Sequence, residues 1–128
     1  MVPVVALAVS GIGSLPAETD GRAVSYPAGQ VTAKGYLALP EGGETAKRPG
    51  VLVVHEWWGH NAYARKRADM LAEMGYVALA VDMYGDGKTA EHPKDAGAFA
   101  GEVRKNAEEA RARFEGALSF LAAQPGVD

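Results

Sequence analysis

The sequence predicts an α/β fold: a short antiparallel hairpin, a parallel βαβ unit and a long carboxy-terminal helix. Two apolar runs, Val51–Val54 and Tyr76–Val81, are typical of strands covered on both faces in a parallel sheet. Between them, residues 62–74 carry apolar side chains at helical spacing. A strand, a helix and a second strand at this spacing form a βαβ unit.

The residues before this unit predict the hairpin. Val24–Tyr26 and Val31–Leu39 read as strands, and apolar residues alternate along the second of them. Pro27–Gly29 is typical of the turn that joins such strands. Pro49-Gly50 then leads the chain into the first buried strand.

The predicted helix 62–74 has one apolar side. Its inner stripe consists of residues at three- and four-residue steps: Ala64, Ala68, Leu71 and Met74. Arg65 and Asp69 are spaced to form an ion pair on the outer side. Gly75 is well placed to end the helix.

A second helical region covers residues 94–123, after a loop at 82–93. Its apolar residues recur every three or four positions, namely Phe99, Val103, Ala107, Ala110, Phe114, Ala117 or Leu118, and Leu121. Two glycines and Asn106 predict a break near residues 104–106.

Composition excludes several classes of function. The net charge of −3 gives no basic footprint for nucleic acid, and no apolar stretch reaches the ~20 residues that span a bilayer. We therefore expect neither a nucleic-acid nor a membrane partner. The absence of cysteine excludes disulfides, thiolate zinc sites and a cysteine nucleophile within these residues.

We interpret residues 18–128 as one partial domain and leave two interpretations open for residues 1–17. The apolar run Val4–Val9 followed by small residues up to Ala17 resembles the remainder of a secretory signal. No Lys or Arg precedes Arg22, however, so either the true start lies upstream or this run is a disordered apolar tail or a first strand. Export and a cytoplasmic location both stay open.

The motif His55-Glu56-Trp57-Trp58-Gly59-His60-Asn61 directly follows the first buried strand. Its histidines are five residues apart, whereas a helical zinc motif needs them four apart, so we expect no metal. Sites in α/β sheets form beyond the carboxyl ends of strands, which makes Glu56 a candidate acid or base. The alternative is a tryptophan-rich plug over the sheet edge, with Glu56 in an ion pair.

Four segments, in this order, carry a resemblance to a known family: Gly35-Tyr36-Leu37-Ala38-Leu39-Pro40, Val54-His55-Glu56-Trp57-Trp58-Gly59, Gly75-Tyr76-Val77-Ala78 and Val81-Asp82-Met83-Tyr84-Gly85. Residues 35–128 resemble the amino-terminal half of a dienelactone hydrolase family protein, an α/β-hydrolase. The resemblance implies hydrolysis of a small ester or lactone, with no cofactor.

The resemblance also implies roles for four residues. Glu56 would lie beside a nucleophilic cysteine and control its ionisation, and the Trp57 backbone N–H would contribute to the oxyanion hole. Trp58 and His60 would line the substrate pocket or act as packing residues. Phe99 and Val103 occupy the positions where dienelactone-cleaving members carry an arginine and a tyrosine, so we do not expect dienelactone itself to be preferred.

In the resembling family, the nucleophile follows on a G-x-C-x-G turn shortly after a segment like Gln124–Asp128, and the triad aspartate and histidine come later. We therefore expect a fragment of a hydrolase that is inactive by itself. The alternative is a non-catalytic half-fold that dimerises and binds a ligand or partner. Family strand order places Val51–Val54 beside the nucleophile strand, so we expect this edge to pair with a second copy, antiparallel, or with the missing carboxy-terminal half.

Overall fold

The computed structural model describes residues 19–128, and within this range four strands form one mixed sheet. The strands are β1 (Asp20–Ala28), β2 (Val31–Leu39), β3 (Gly50–Val53) and β4 (Val77–Ala80). The helices are α1 (Ala62–Glu73), α2 (Pro93–Lys105) and α3 (Ala107–Ala122). The order in the sheet is β1-β2-β4-β3, with antiparallel β1–β2 and β2–β4 pairs and a parallel β3–β4 pair. The predicted α/β fold is confirmed.

The core lies on both faces of the sheet around β4. All four β4 residues are buried, because strands cover both of its edges and helices cover its faces. One face packs larger side chains against α3, and the other packs alanines of the sheet against alanines of α1. By contrast β3 lies at an edge, and its three apolar side chains are only partly buried.

The hairpin is longer than predicted. β1 covers Asp20–Ala28 instead of Val24–Tyr26, and its turn consists of Gly29 and Gln30, with Ala28 paired to Val31. Gly29 has a φ of 60°, which a glycine adopts without strain. Pro27 lies inside the strand, where its missing N–H is tolerated because β1 is an edge strand.

Helix α1 presents alanines to the sheet. Ala64, Ala68 and Ala72 are buried, and their small side chains let the helix lie close to β2 and β4. The predicted inner position of Met74 is wrong: the helix ends at Glu73, and Met74 is 71% exposed.

The predicted ion pair on α1 is also wrong. Asp69 accepts a hydrogen bond from the Tyr36 hydroxyl of β2 at 2.7 Å, and no ion pair joins Asp69 to Arg65 in the part of the chain described. Asp69 therefore bonds to Tyr36 of β2 and not to Arg65 of its own helix.

The predicted break in the second helical region is confirmed at Asn106. The Asn106 side chain accepts from the Glu109 N–H at 3.1 Å, so this residue caps α3. Ala117 and Leu121 are buried, as predicted. Phe114 is exposed, so its predicted place on the inner stripe is wrong, and of the alternatives Ala117 and Leu118 it is Ala117 that faces inward.

No helix within residues 19–128 is both long and apolar enough to cross a bilayer. The two interpretations of residues 1–17 concern residues outside the described range.

The loop after β4 is organised by the buried carboxylate of Asp82. Its two oxygens accept three backbone N–H bonds, from Lys34 at 2.9 Å, Gly85 at 3.0 Å and Gly87 at 2.8 Å. The loop residues Gly85, Asp86 and Gly87 all have positive φ, which curls the backbone around the carboxylate. Asp82 thus connects the end of β4 to β2.

Replacing Asp82 with asparagine tests this role. The amide oxygen can still accept from Lys34 and Gly87, but the NH₂ group would then face the N–H donor of Gly85, which is left without an acceptor. We expect Asp82→Asn to lower the free energy of unfolding by about 3 kcal/mol, measured by urea denaturation. The exposed neighbour Asp86 provides the control: Asp86→Asn should change stability by less than about 0.5 kcal/mol. Equal midpoints for the two variants would contradict the assignment.

Candidate active site

A tight turn at residues 56–59 follows the carboxyl end of β3. The Gly59 N–H donates to the Glu56 carbonyl at 3.0 Å, closing the turn over the two tryptophans. Gly59 has a φ of 93° and lies against Thr89 in an isolated bridge, where a side chain would collide with the backbone. The turn therefore has one fixed path away from β3.

His55 connects this turn to the end of β4. Its Nε2 accepts from the Met83 N–H at 3.0 Å, which requires that nitrogen to be unprotonated. Its Nδ1 lies 2.7 Å from the Glu56 carbonyl and is the nitrogen that donates. Burial lowers the pKa of His55, so the neutral ring is favoured.

Tyr84 supports the turn from the same side. Its hydroxyl donates to the Trp57 carbonyl at 2.7 Å, and its ring packs edge-on against His55 and Phe99. The Ala90 N–H donates to the next carbonyl, that of Trp58, at 2.8 Å. The carbonyls of the turn are thus held by the loop that follows β4.

The groups that the sequence singled out for chemistry are left available. The Glu56 side chain is exposed and makes no ion pair with the described residues. The Trp57 N–H donates to no acceptor within residues 19–128, although the Trp57 carbonyl is bonded. An exposed acid therefore stands next to an unused backbone donor.

Two open clefts meet at this turn and share Val54, His55 and Glu56. The β3 cleft, of about 530 Å³, lies between β3 and α1 and is also lined by Trp58, Asn61, Tyr63 and Arg67. The Tyr84 cleft, of about 290 Å³, is also lined by Trp57, Met83, Tyr84, Val103 and Arg104. Glu56 borders both clefts.

His60 lies elsewhere. It is buried and faces a third cleft of about 350 Å³, which is also lined by Lys34 and Arg65. Its Nδ1 has no hydrogen-bond partner in the described part of the chain. Burial and, to a lesser extent, Arg65 lower the pKa of His60. Of the four residues singled out from the sequence, Glu56, Trp57 and Trp58 lie together and His60 does not join them.

No group of three or more His, Asp or Glu side chains within residues 19–128 is arranged to hold a metal ion. The carboxylate of Asp82 is buried, and both of its oxygens accept hydrogen bonds from backbone N–H groups.

Comparison with known proteins identifies the family. The pattern that defines the dienelactone hydrolase family matches residues 33–128. The chain belongs to the dienelactone hydrolase family. It is 35% identical over 105 residues to protein usf of Aquifex pyrophilus, and 34% identical over 105 residues to a carboxymethylenebutenolidase-like protein of Aquifex aeolicus.

Each of these alignments covers 79% of this chain and 43% of the relative. The crystal structure of P91, a dienelactone hydrolase-like promiscuous phosphotriesterase from metagenomic libraries, superposes with a TM-score of 0.78 at 34% identity. That match covers 86% of this chain and 45% of P91. The chain thus spans less than half the length of these relatives, and it shares the hydrolase family and the α/β fold with them.

The sequence did not reveal the supports of the turn. The sequence analysis named Met83 and Tyr84 only within a segment that resembles the family. It considered His55 only as a metal ligand and rejected that role. Their roles depend on the β3–β4 pairing, which brings the ends of two strands side by side.

The low pKa of His55 makes the stability of the turn depend on pH. The unfolded ring has an ordinary pKa near 6.5, so below that pH the unfolded chain binds the proton more readily than the folded chain. Stability is therefore complete above about pH 6.5 and falls as the pH drops towards the folded pKa, by at most about 1.4 kcal/mol per pH unit for one histidine.

His55→Gln keeps a hydrogen-bond acceptor but does not titrate. We expect it to reduce the loss of unfolding free energy between pH 7 and pH 5, measured by urea denaturation at each pH. His92→Gln, at an exposed histidine, should retain the wild-type slope. Identical slopes for wild type and His55→Gln would show that His55 is not held neutral.

Proposed function

We propose that this chain forms the acid and oxyanion-hole side of the active site of a carboxylic ester or lactone hydrolase. The observation that supports this most directly is the unused Trp57 N–H next to the exposed Glu56 carboxylate at the carboxyl end of β3. Open α/β sheets bind their substrates at this end.

The proposed chemistry is acyl transfer through a thioester. A cysteine thiolate attacks the substrate carbonyl carbon, the carbonyl electrons move onto oxygen, and the Trp57 N–H donates to that oxyanion. Collapse of the tetrahedral intermediate expels the alcohol with a proton, and water then hydrolyses the thioester. Family resemblance assigns the cysteine to a G-x-C-x-G turn, which residues 1–128 do not contain.

Glu56 is assigned the control of the thiol proton. A carboxylate within reach of a thiol can accept its proton and return it to the leaving group. Within the described residues Glu56 makes no ion pair, so its carboxylate is available to such a thiol. The Tyr84 cleft offers mainly apolar walls for the body of a small ester or lactone.

The oxyanion role can be tested at Trp57, because this residue is the second of the turn closed by Glu56 and Gly59. Proline is favoured at that position, so Trp57→Pro removes the N–H while keeping the turn. The assay uses a chimaera in which residues 1–128 replace the matching region of P91, with hydrolysis of p-nitrophenyl acetate as the readout. Relative to Trp57→Ala, which retains the N–H, Trp57→Pro should lower kcat by about 10²-fold or more. Equal kcat values would exclude the donor role.

The role of Glu56 is tested in the same chimaera. Glu56→Gln keeps the shape of the side chain but cannot exchange a proton, so we expect a loss of about 10²-fold in kcat/KM. Glu73→Gln, at the far end of α1, is the matched control and should retain full activity. The 128-residue chain by itself is expected to be inactive, and hydrolysis well above its own Glu56→Gln variant would contradict that expectation.

A further inference from the structure

The cleft of about 350 Å³ that His60 faces, the His60 cleft, is lined by residues of β1, β2, the start of α1 and the loop after β4. Its polar and charged side chains are Ser25, Lys34, His60, Arg65 and Asp86. It shares no lining residue with the β3 cleft or the Tyr84 cleft. Because β1 and β2 lie on the other side of β4 from β3, the His60 cleft is separate from the candidate active site.

The His60 cleft contains two cations that are not neutralised locally. Lys34 and Arg65 make no ion pair with any residue in the range 19–128. The stem of Lys34 runs along the loop backbone, since a side chain at Gly87 would lie 3.5 and 3.6 Å from its Cβ and Cδ. Asp86 is the one carboxylate among the lining residues. Two cations and one carboxylate give the lining a net charge of +1 while His60 is neutral.

His60 is the buried member of this cleft. It is 6% exposed, and its Nδ1 has no hydrogen-bond partner within residues 19–128. Its backbone is held on both sides, because the Asn61 N–H donates to the Gly59 carbonyl at 2.8 Å and the Asn61 side chain caps α1. A buried polar atom without a partner is uncommon in native proteins and is typical of a position that a ligand, an ion or a water completes.

We propose that the His60 cleft binds a small oxyanion, the acid group of a phosphate or carboxylate ligand, between Lys34 and Arg65 and next to His60. The Arg65 guanidinium can donate two parallel N–H bonds to such a group, and the Lys34 ammonium adds a point charge. The Ser25 hydroxyl, at the strand position paired with Lys34, can donate a further bond. This site lies outside the proposed hydrolysis and does not depend on it.

Charge and volume favour an anion over other occupants. A cation would face Lys34 and Arg65 with only Asp86 to pair it. An apolar ligand would bury both cations without compensation, which costs free energy. A volume of about 350 Å³ is within the range of small-molecule pockets, so the cleft admits an organic molecule that carries the acid group as well as the free anion.

Binding of the anion is expected to be coupled to the protonation of His60. The charged and titratable groups around this ring are Arg65 of α1, Lys34 of β2, Asp82 and Asp86 after β4, and His55 after β3. Burial first and Arg65 next lower the pKa of His60, whereas Asp82 acts in the opposite direction. An added oxyanion stabilises the imidazolium, so the pKa of His60 rises on binding. By linkage the anion then binds more tightly as the pH falls.

The first test titrates the 128-residue chain with inorganic phosphate and, separately, with acetate, and follows the backbone amide signals by NMR at constant ionic strength. Phosphate and acetate represent the two classes of acid group. We expect saturable shifts at Gly35 and Gly87, which line the cleft, with at least one of these probes. No saturable shift with either probe would overturn the proposal.

The two cations are tested by neutral replacements. Arg65→Gln and Lys34→Gln should each weaken binding of the better probe about tenfold, because each removes a charge-assisted hydrogen bond. Lys66→Gln, at the next and exposed position of α1, is the control and should keep the wild-type affinity. A loss in Lys66→Gln as large as that in Arg65→Gln would indicate general charge attraction and overturn the site.

Asp86→Asn should have the opposite effect. It removes the one negative charge of the lining, and asparagine tolerates the positive φ of 53° at this position, so we expect binding to tighten about threefold. Asp95→Asn, at an exposed position of α2 outside the lining, should change the affinity less. Unchanged or weaker binding in Asp86→Asn would exclude an anion beside this loop.

The coupling to His60 is measured by NMR titration of the histidine rings, with sulfate as the probe because it stays a dianion at these pH values. Saturating sulfate should raise the pKa of His60 relative to chloride at the same ionic strength, whereas the exposed His92 should titrate alike in both salts. Sulfate should also bind at least about threefold more tightly at pH 5.5 than at pH 7.5, and His60→Gln should abolish this difference. The ring titration uses the unaltered chain, so it decides the matter even if His60→Gln does not fold. A pKa of His60 that is the same in sulfate and in chloride would overturn the proposal.

Discussion

The buried carboxylate of Asp82 is the constraint on which the rest of this structure depends. A carboxylate excluded from water must be compensated by hydrogen bonds, and here three backbone N–H groups supply them. The backbone N–H of the same residue donates to the hydroxyl of Tyr26 at 3.3 Å, and burial raises the pKa of that phenol to about 12. One residue thus connects the end of β4 to β2 and β1.

Helix α3 fixes the same loop from the other side. Arg113 donates to the carbonyls of Met83 and Tyr84 at 2.9 and 3.2 Å, and pairs with Glu109, which accepts from the Gln30 N–H. These bonds lower the pKa of Glu109. The loop after β4, which contacts the candidate site, is therefore held both by the sheet and by helix α3. Its own groups, the Met83 N–H and the Tyr84 hydroxyl, then position His55 and Trp57.

Patterns in the sequence predicted the elements whose cause is local. The apolar runs predicted β3 and β4, although β3 is only partly buried, Asn106 predicted the helix break, and the position of Glu56 after an apolar strand predicted its place at a cleft. The failures have non-local causes. Periodicity placed Met74 on the inner stripe because it is large and apolar, but α1 ends at Glu73 and Met74 is exposed. Asp69 bonds to a residue of another element, which no spacing along the helix reveals.

The separation of His60 from Glu56 has a similar origin. Both belong to one short motif, but the backbone turns between them at Gly59, which has a positive φ. His60 therefore lies in a cleft that is lined by residues of β1 and β2. Residues that are close in a sequence motif therefore need not share a cleft, and here the backbone turn at Gly59 separates Glu56 from His60. The same turn directs Trp57 and Trp58 towards different clefts, on the two sides of Glu56.

The candidate site is built from one side only. Besides the bonds within the turn after β3, the groups that hold it and the adjacent His55 come from the loop after β4, namely the Met83 N–H, the Tyr84 hydroxyl and the Ala90 N–H. The turn leaves the Trp57 N–H without an acceptor among residues 19–128 and the Glu56 side chain exposed, and the neighbouring edge strand is short and partly exposed. A donor that is held rigid on one side and unoccupied on the other needs little reorganisation when an oxyanion forms, which is the condition under which a backbone N–H contributes most to catalysis.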